Sequence, residues 1–556
     1  MPTSGQEGAL VVLSPARPVT AGPRPRRRRI GIVDLVTKNS RRSLYGRIMN
    51  PNLASIMPQV LAVWCEEAGH DVRYVCYTGA EDLLSEIPSD VDLLFIGAFT
   101  EAAQLAYALS NLFRQRGAIT VLGGPHARCY PEDAQRFFDY VLGFTDRQVL
   151  EEVIEECEPS RPMGRALAAA RHPTELPSLA SRWKFVEATL AKAPVIKFVP
   201  MIGSLGCPYT CSFCIDSTVD YQPLGFPALS EDLAFLLTKM RNPIVGWHDP
   251  NFGVRFDDYM DAIEAVVPPG RMRHIAESSL SLLSEPHLQR LRLNGFQALL
   301  PGIESWFALG NKSKTRHTGL DKVRQVADHV NLLLRYVPYV QTNFVLGLDS
   351  DEGPEPFELT KQFLDLAPGA FPAYSLLSAF GRAAPMNLDY QRAGRVLPFP
   401  FTFLNNNHSM NVRPKNYSWD EFYDRLVDLT SYSFSWRAIR RRLGATNAMI
   451  PRWMNVVRAV SSEGWGRIKY HTTIRGLLDT DRSVRDFMEG ASDRLPGFYA
   501  ARIERDLGDL HRHLPEGAVM HDPNAYLKSV GHTPVTPLQR VRRAGAGATA
   551  AAVADL

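Results

Sequence analysis

Three closely spaced cysteines, Cys207, Cys211 and Cys214, stand in the stretch GCPYTCSFC, just after a strand-like apolar run at 195–205. Thiolates at this C-x3-C-x2-C spacing can each take one iron of a cubane iron–sulfur cluster and leave the fourth iron without a protein ligand. That open iron is a place where a small molecule can bind and accept an electron. Zinc is the competing reading. No cysteine or histidine follows close behind Cys214 to form a second pair, yet His248 could complete a Cys3His set. Cys65, Cys76, Cys129 and Cys157 are scattered without ligand spacing and read as packing residues. An odd total of seven cysteines in so long a chain argues against a disulfide framework.

The thiols need a rigid frame, and the pattern on either side supplies one. Upstream, apolar strands are expected at 30–36, 71–77, 93–99, 119–122 and 139–142, with helices at 55–68, 102–116 and 146–156. This alternation predicts a doubly wound parallel sheet with its ligand at the carboxyl ends of the strands. Thr100 follows the third of these strands, and Gly123-Gly124-Pro125-His126 follows the fourth. Glycines at a strand end let a ligand come close to the backbone. Downstream, strands at 244–248, 274–279, 298–303, 339–346 and 373–377 alternate with helices at 229–240, 257–267, 285–294, 321–336 and 356–366. With the strand before Cys207 they make six βα repeats, and reactive groups in such barrels sit at the carboxyl ends of the strands. Gln341 and Asn343 alternate with apolar neighbours and therefore share one face of their strand. That face is a candidate substrate surface, or the two side chains pair with each other.

The triplet, with Phe213 before its last cysteine, resembles that of the radical S-adenosylmethionine (SAM) enzymes. The Gly-Gly-Pro-His strand end ahead of it resembles the cobalamin domain of the B12-dependent members. The resemblance implies an α/β fold: a Rossmann-like cobalamin-binding domain, a partial (β/α)6 TIM-type barrel and a mainly helical carboxyl-terminal region. Asp249-Pro250-Asn251-Phe252, Gly302-Ile303-Glu304-Ser305 and Gly347-Leu348-Asp349-Ser350 end the second, fourth and fifth barrel strands, as in that family. By the resemblance Cys207, Cys211 and Cys214 hold a [4Fe-4S] cluster. Phe213, Asp249, Asn251, Glu304 and Ser305 contact SAM, and Thr100, Gly123, Gly124, Pro125 and His126 contact cobalamin. The Asp-x-His-x-x-Gly motif, whose histidine ligates cobalt, does not occur in the chain, which implies cobalamin held without a histidine ligand. A sheet that has lost its corrinoid is the alternative.

The activity so implied is reductive cleavage of SAM to a 5′-deoxyadenosyl radical, followed by methyl transfer from methylcobalamin to an unactivated carbon or phosphorus centre. A cobalamin-assisted cyclisation, oxidation or ring contraction is the alternative reaction. A non-catalytic corrinoid or iron–sulfur sensor is the alternative from another class. Expected partners are a small-molecule or natural-product intermediate as substrate and an electron donor such as flavodoxin or ferredoxin.

Composition fits a cytoplasmic, multidomain enzyme. At 556 residues the chain exceeds one hydrophobic core. Apolar residues at 45% and charged residues at 22% are globular values, and a net charge of +3 makes no whole-protein case for nucleic acid. No apolar run is long enough to cross a bilayer. The first 29 residues, with Arg24, Arg26, Arg27, Arg28 and Arg29, lack the apolar stretch of a secretory signal and read as a disordered basic arm. The expected boundaries are the cobalamin domain at 30–160, a linker at 161–194, the radical domain at 195–397, a helical substrate cap at 398–535 and a disordered tail at 536–556. Within the cap, Arg440, Arg441 and Arg442 read as a solvated helix face.

Overall fold

The computed structural model describes residues 11–12, 27–38, 44–156, 164–307 and 317–530. Most of the expected basic arm, the tail from 536 and Cys157 lie outside the described residues. The amino-terminal sheet contains β1 (Arg29–Leu35), β2 (Asp71–Tyr77), β3 (Leu93–Ala98), β4 (Ile119–Gly123), β5 (Tyr140–Leu142) and β6 (Arg165–Ala168). All pair in parallel in the order β2-β1-β3-β4-β5-β6, with a two-residue strand Val11–Val12 beside β6. The central strands are apolar on both faces because helices cover both, as a parallel sheet requires. Val33 of β1 lies between Val75 of β2 and Ile96 of β3, and all three are buried. Consecutive strands leave β1 in opposite directions, so a crevice opens between the carboxyl ends of β1 and β3, where open sheets bind ligands. The basic run ends inside the fold: Arg28 is buried, and the Arg29 N–H donates to Asp92 (2.7 Å).

The second sheet is a six-stranded partial barrel: β7 (Phe198–Met201), β8 (Ile244–Trp247), β9 (Arg273–Ala276), β10 (Phe296–Leu299), β12 (Tyr339–Leu346) and β13 (Phe371–Leu376), all parallel. The short β11 (Gly302–Glu304) continues β10 along β12. The sequence suggests one strand at 298–303, but Pro301 has no N–H for the ladder and interrupts it; the Pro301 carbonyl accepts from Asn343 N–H instead (3.0 Å). Helices Phe226–Lys239, Phe256–Val266, Glu285–Leu293, Gly319–Tyr336 and Glu355–Leu366 join the strands. The segment expected as a linker carries β6 and a helix, Leu179–Ala191. Trp419–Ser433, Trp436–Gly444, Met449–Val460, Trp465–Thr480, Arg482–Met488 and Gly497–Leu507 form the helical region. One hydrophobic core runs through the barrel, the helical region and one face of the first sheet.

A buried carboxylate organises the exit from β7. Asp249, at the end of β8, accepts from Gly203 N–H (3.1 and 3.2 Å to its two oxygens), from Ser204 Oγ (2.7 Å) and from the Tyr259 hydroxyl. Burial raises its pKa to about 6, against these hydrogen bonds, which lower it. Gly203 is required because an added Cβ would stand 2.5 Å from the Tyr259 ring. Beyond the knot, Ser204–Leu205 pairs antiparallel with Gln222–Pro223, closing the cysteine loop at its neck. In the same neck Gly206 has φ +72, and a Cβ there would meet the Asp220 carbonyl.

Two predictions follow from these buried carboxylates. Asp249→Ala leaves three donors without their acceptor and is expected to cost about 3 kcal/mol of stability, seen as a lowered thermal midpoint; an unchanged midpoint refutes the anchoring role. Burial also raises Asp34 of β1 from 3.8 to about 7, although it accepts from Ser55 N–H (2.7 Å). A raised acid favours the folded state fully below its unfolded pKa, and that contribution is lost as pH rises through the folded value. Asp34→Asn is therefore expected to gain on the parent protein in thermal midpoint from about pH 4 to about pH 8, and a difference independent of pH contradicts the assignment.

Candidate functional site

Cys207 is buried in the loop held by this neck, and Cys211 and Cys214 are half-buried. A turn places the last two: Cys214 N–H donates to Cys211 carbonyl (3.0 Å), and Asp216 N–H donates to the Cys214 sulfur (3.4 Å). Backbone N–H groups aimed at thiolates are what tune an iron–sulfur cluster. Among the described residues no three His, Cys, Asp or Glu side chains converge as ligands of one ion. Two neighbours fix the loop from outside. Arg128 donates to Ile215 carbonyl (2.8 Å) and to Asp216 (3.0 Å), and Met386 N–H donates to Ser212 carbonyl (3.0 Å). Phe213, between these two anchors, is half-buried.

The strand-end residues divide. Asp249 and Asn251 are both engaged within the protein: Asn251 donates to Ser279 Oγ (2.7 Å) and accepts from Ser279 N–H (3.1 Å). They hold the ends of β7, β8 and β9 together. Glu304 stands out by its backbone. Its backbone is in the left-handed region, φ +65, which is uncommon for a residue with a side chain and marks strain retained at a site. The Glu304 carboxylate folds back over Gly302, in the space a Cβ at that position would take. Ser305 is buried; its hydroxyl accepts from Phe307 N–H (3.1 Å) and its carbonyl accepts from the Lys322 ammonium (2.5 Å). Burial lowers Lys322 to about 8, and the charge of Glu304 opposes that shift. Gln341 and Asn343 share one face of β12 as expected, but they pair: Gln341 Nε2 donates to Asn343 Oδ1 (2.6 Å), and Arg458 donates to Gln341 Oε1 (2.6 Å).

The two halves meet at a cavity of about 360 Å³ for the centres of water-sized molecules, within the roughly 300–1,000 Å³ of small-molecule sites. Its walls come from the carboxyl ends of β3, β4 and β5 with Ile32 of β1, from Leu205, Gly206, Asp216 and Val219 of the cysteine loop, and from His248 and Pro250 after β8. Gly123 and Gly124 both line it, with distinct roles. A Cβ at Gly123 meets nothing within 4 Å, so a side chain there would enter the cavity. Gly124 has φ +89, and a Cβ would stand 3.0 Å from the backbone of Ala98. Leu53 and Phe99 line the same cavity and stay about half exposed, leaving apolar surface open at its mouth. An open floor at Gly123 with apolar walls fits a broad ring-shaped cofactor.

Two expected cobalamin contacts lie elsewhere. His126 is fully buried away from the cavity: Nε2 shares a hydrogen bond with the Tyr107 hydroxyl (2.6 Å), and its ring packs edge-on against Phe401 (4.7 Å). Burial lowers its pKa to about 3. Thr100 is buried beside Cys129 and is absent from the cavity wall. Pro125 does line the cavity, and so does Arg128. The reason is helical geometry. In the helix Pro125–Cys129 residues two apart point to opposite sides, so with His126 turned to the core, Arg128 faces the cysteine loop. The sequence analysis missed Arg128, whose signal is its spacing from His126. It also missed His172, which lines the cavity and packs on Phe144 (4.2 Å). Burial and the charge of Arg128 lower His172 to about 4, so it is neutral at pH 7.

No family model matches the chain. In sequence it is similar to bacteriochlorophyllide d C-12(1)-methyltransferase of Chlorobaculum tepidum, 21% identical over 379 residues, 65% of this chain and 79% of that one. It is also similar to bacteriochlorophyllide d C-8(2)-methyltransferase of the same organism, 27% identical over 132 residues, 23% of this chain and 28% of that one. Among solved structures it is similar to the radical S-adenosylmethionine methyltransferase TsrM of Kitasatospora setae, bound to tryptophan and a SAM analogue, with TM-score 0.49, 15% identity and coverage of 67% and 78%. Both sequence relatives are named as methyltransferases, and this likeness stands beside the resemblance that the cysteine triplet and the strand ends bear to the B12-type radical SAM enzymes.

Proposed function

We propose that the chain is a cobalamin-dependent radical SAM methyltransferase acting on a carbon centre of a small molecule. One observation carries this reading: a single cavity is walled both by the carboxyl ends of the first sheet and by the cysteine loop of the barrel. A corrin seated over Gly123 there would lie directly against the loop of Cys207, Cys211 and Cys214. The sequence relatives support methyl transfer, since both are named as methyltransferases of bacteriochlorophyllides.

In this reading the three cysteines hold the cluster, while Phe213 and the strained Glu304 with Ser305 face SAM. Asp249 and Asn251 act as positioning residues behind them. When bound, the cluster supplies the electron that cleaves SAM, and the corrinoid supplies the methyl group. The protein's own contribution is placement and exclusion of water. Leu53, Phe95, Phe99 and Leu142 line the cavity with apolar surface, which keeps solvent from a radical formed beside them. Arg128 ties the corrin-side helix to the cysteine loop and fixes their spacing. Asn343 and Gln341 are the candidate substrate contacts within the barrel.

Anaerobic reconstitution with iron, sulfide and hydroxocobalamin, followed by dithionite and SAM, tests the reading. The expected result is one cubane, one corrinoid and 5′-deoxyadenosine; S-adenosylhomocysteine formed with a methylated product supports methyl transfer. Cys211→Ala is expected to abolish both cluster absorption and SAM cleavage, and retained cleavage overturns the cluster assignment. Gly123→Leu should reduce bound corrinoid by about tenfold through steric filling while leaving iron content unchanged. Unchanged corrinoid in that variant removes it from the cavity.

A further inference from the structure

Exposed apolar side chains gather on the far side of the barrel from the cysteine loop. Met449, Ile450 and Trp453 stand on one face of the helix Met449–Val460, with Met449 76% exposed and Trp453 47% exposed. Trp436, 61% exposed, packs edge-on against Trp465 of the neighbouring helix (5.1 Å). The inner side of the same helix faces the barrel floor: Met454 and Val457 pack with Ile196, Phe198 and Ile244 at the amino ends of β7 and β8. Single exposed hydrophobics need no explanation, but a group on adjoining helices does.

Along this stretch of chain the charge is one-sided, with Asp365 of a barrel helix lying near Arg437. From 436 to 460 the chain has six arginines and no aspartate or glutamate. Arg442 and Arg458 are buried, and Arg441 pairs with Asp365. Arg437, Arg440 and Arg452 remain exposed beside the apolar side chains. Tryptophan and aliphatic side chains protruding among arginines match the pattern of surfaces that lie in the headgroup region of a bilayer.

We propose that this face docks on an anionic lipid surface. Charge selects that occupant over the others. A second copy would bring the same cationic face against it. The chain's terminal segments outside the described residues carry Arg24 and Arg26 at one end and Arg540, Arg542 and Arg543 at the other, so they too are repelled. An acidic redox protein would satisfy the charge, but here it would sit at the opposite end of the barrel from the thiols it must reduce. A fluid apolar phase also needs no matching shape to receive side chains that protrude singly. No described helix is long and apolar enough to cross a membrane, so the contact proposed is peripheral.

Flotation of the purified full-length protein with vesicles tests this. Vesicles of phosphatidylcholine containing phosphatidylglycerol should carry the protein, and pure phosphatidylcholine should not. Raising salt should release it, because the arginines act through screened charge. The exposed pair Met449→Ser with Trp453→Ser should lower the bound fraction about tenfold with unchanged iron content and thermal midpoint. Absence of binding to anionic vesicles overturns the proposal. So does undiminished binding of the double variant, which would place the contact on a basic terminal segment. A concentration-dependent dimer lost in the double variant, or an acidic ferredoxin binding this face in place of vesicles, overturns it in favour of a protein occupant.

Discussion

The site depends on one buried carboxylate. Asp249 is 2% exposed, and a carboxylate so placed is costly unless donors surround it. It has three: the Gly203 amide, the Ser204 hydroxyl and the Tyr259 hydroxyl. Because two of them lie on the chain just past β7, their bonds fix the direction in which that chain leaves the barrel. The ribbon of Ser204–Leu205 with Gln222–Pro223 then closes the neck, and the turn at Cys211 to Cys214 is set from a fixed base. Arg128 grips the outside of the same loop, which carries the constraint into the first sheet. The thiols are thus placed by a hydrogen-bond network that begins outside the cysteine motif.

A second buried charge closes the other end of the barrel. Arg458 is 6% exposed and donates to Tyr339 hydroxyl (2.7 Å), Gln341 (2.6 Å) and Glu463 (2.6 Å), with its guanidinium 4.0 Å from the centre of the Phe371 ring. A buried ion pair gains little stability after its desolvation cost. Its effect here is geometric: one planar donor group bridges the helix Met449–Val460 to β12 and fills the amino end of the lumen. Gln341 is drawn into that network and passes it on to Asn343, whose amide donates in turn to the Leu300 carbonyl (3.2 Å).

How much was legible in the sequence follows from what periodicity carries. Strands such as Leu93–Ala98 and Tyr339–Leu346 lie where apolar runs and alternation placed them, because burial on one or both faces dictates those patterns. The break at Pro301 was missed, because the apolar run around it hid a residue that cannot donate to a ladder. His126 drew attention through its chemistry, and its burial against Tyr107 and Phe401 depends on which face of a five-residue helix meets the core. A one-turn helix is too short for periodicity to decide that. Asp249 was legible as a strand-end polar group, but its partners lie 45 and 46 residues upstream and 10 downstream, and only folding brings them together.

The cavity itself follows from stapling two sheets along their carboxyl ends. Helix Leu179–Ala191 is wedged between them: its buried Arg182 donates to Gln59 (3.2 Å) behind the first sheet, and Leu179 N–H donates to Asp232 (2.7 Å) of a barrel helix. On the opposite flank Tyr130 hydroxyl donates to Ala379 carbonyl (2.6 Å), and Phe401 packs between Tyr130 (4.6 Å) and His521 (4.4 Å). Gln104 and Asn111 add bonds to Val519 and His513 carbonyls (2.9 and 2.8 Å). A seam bonded on both flanks holds its walls at a set spacing before any ligand arrives. Reacting groups carried on the two sheets are then oriented by packing within the free protein, and the ordering cost of bringing them together is met at folding, not in each turnover.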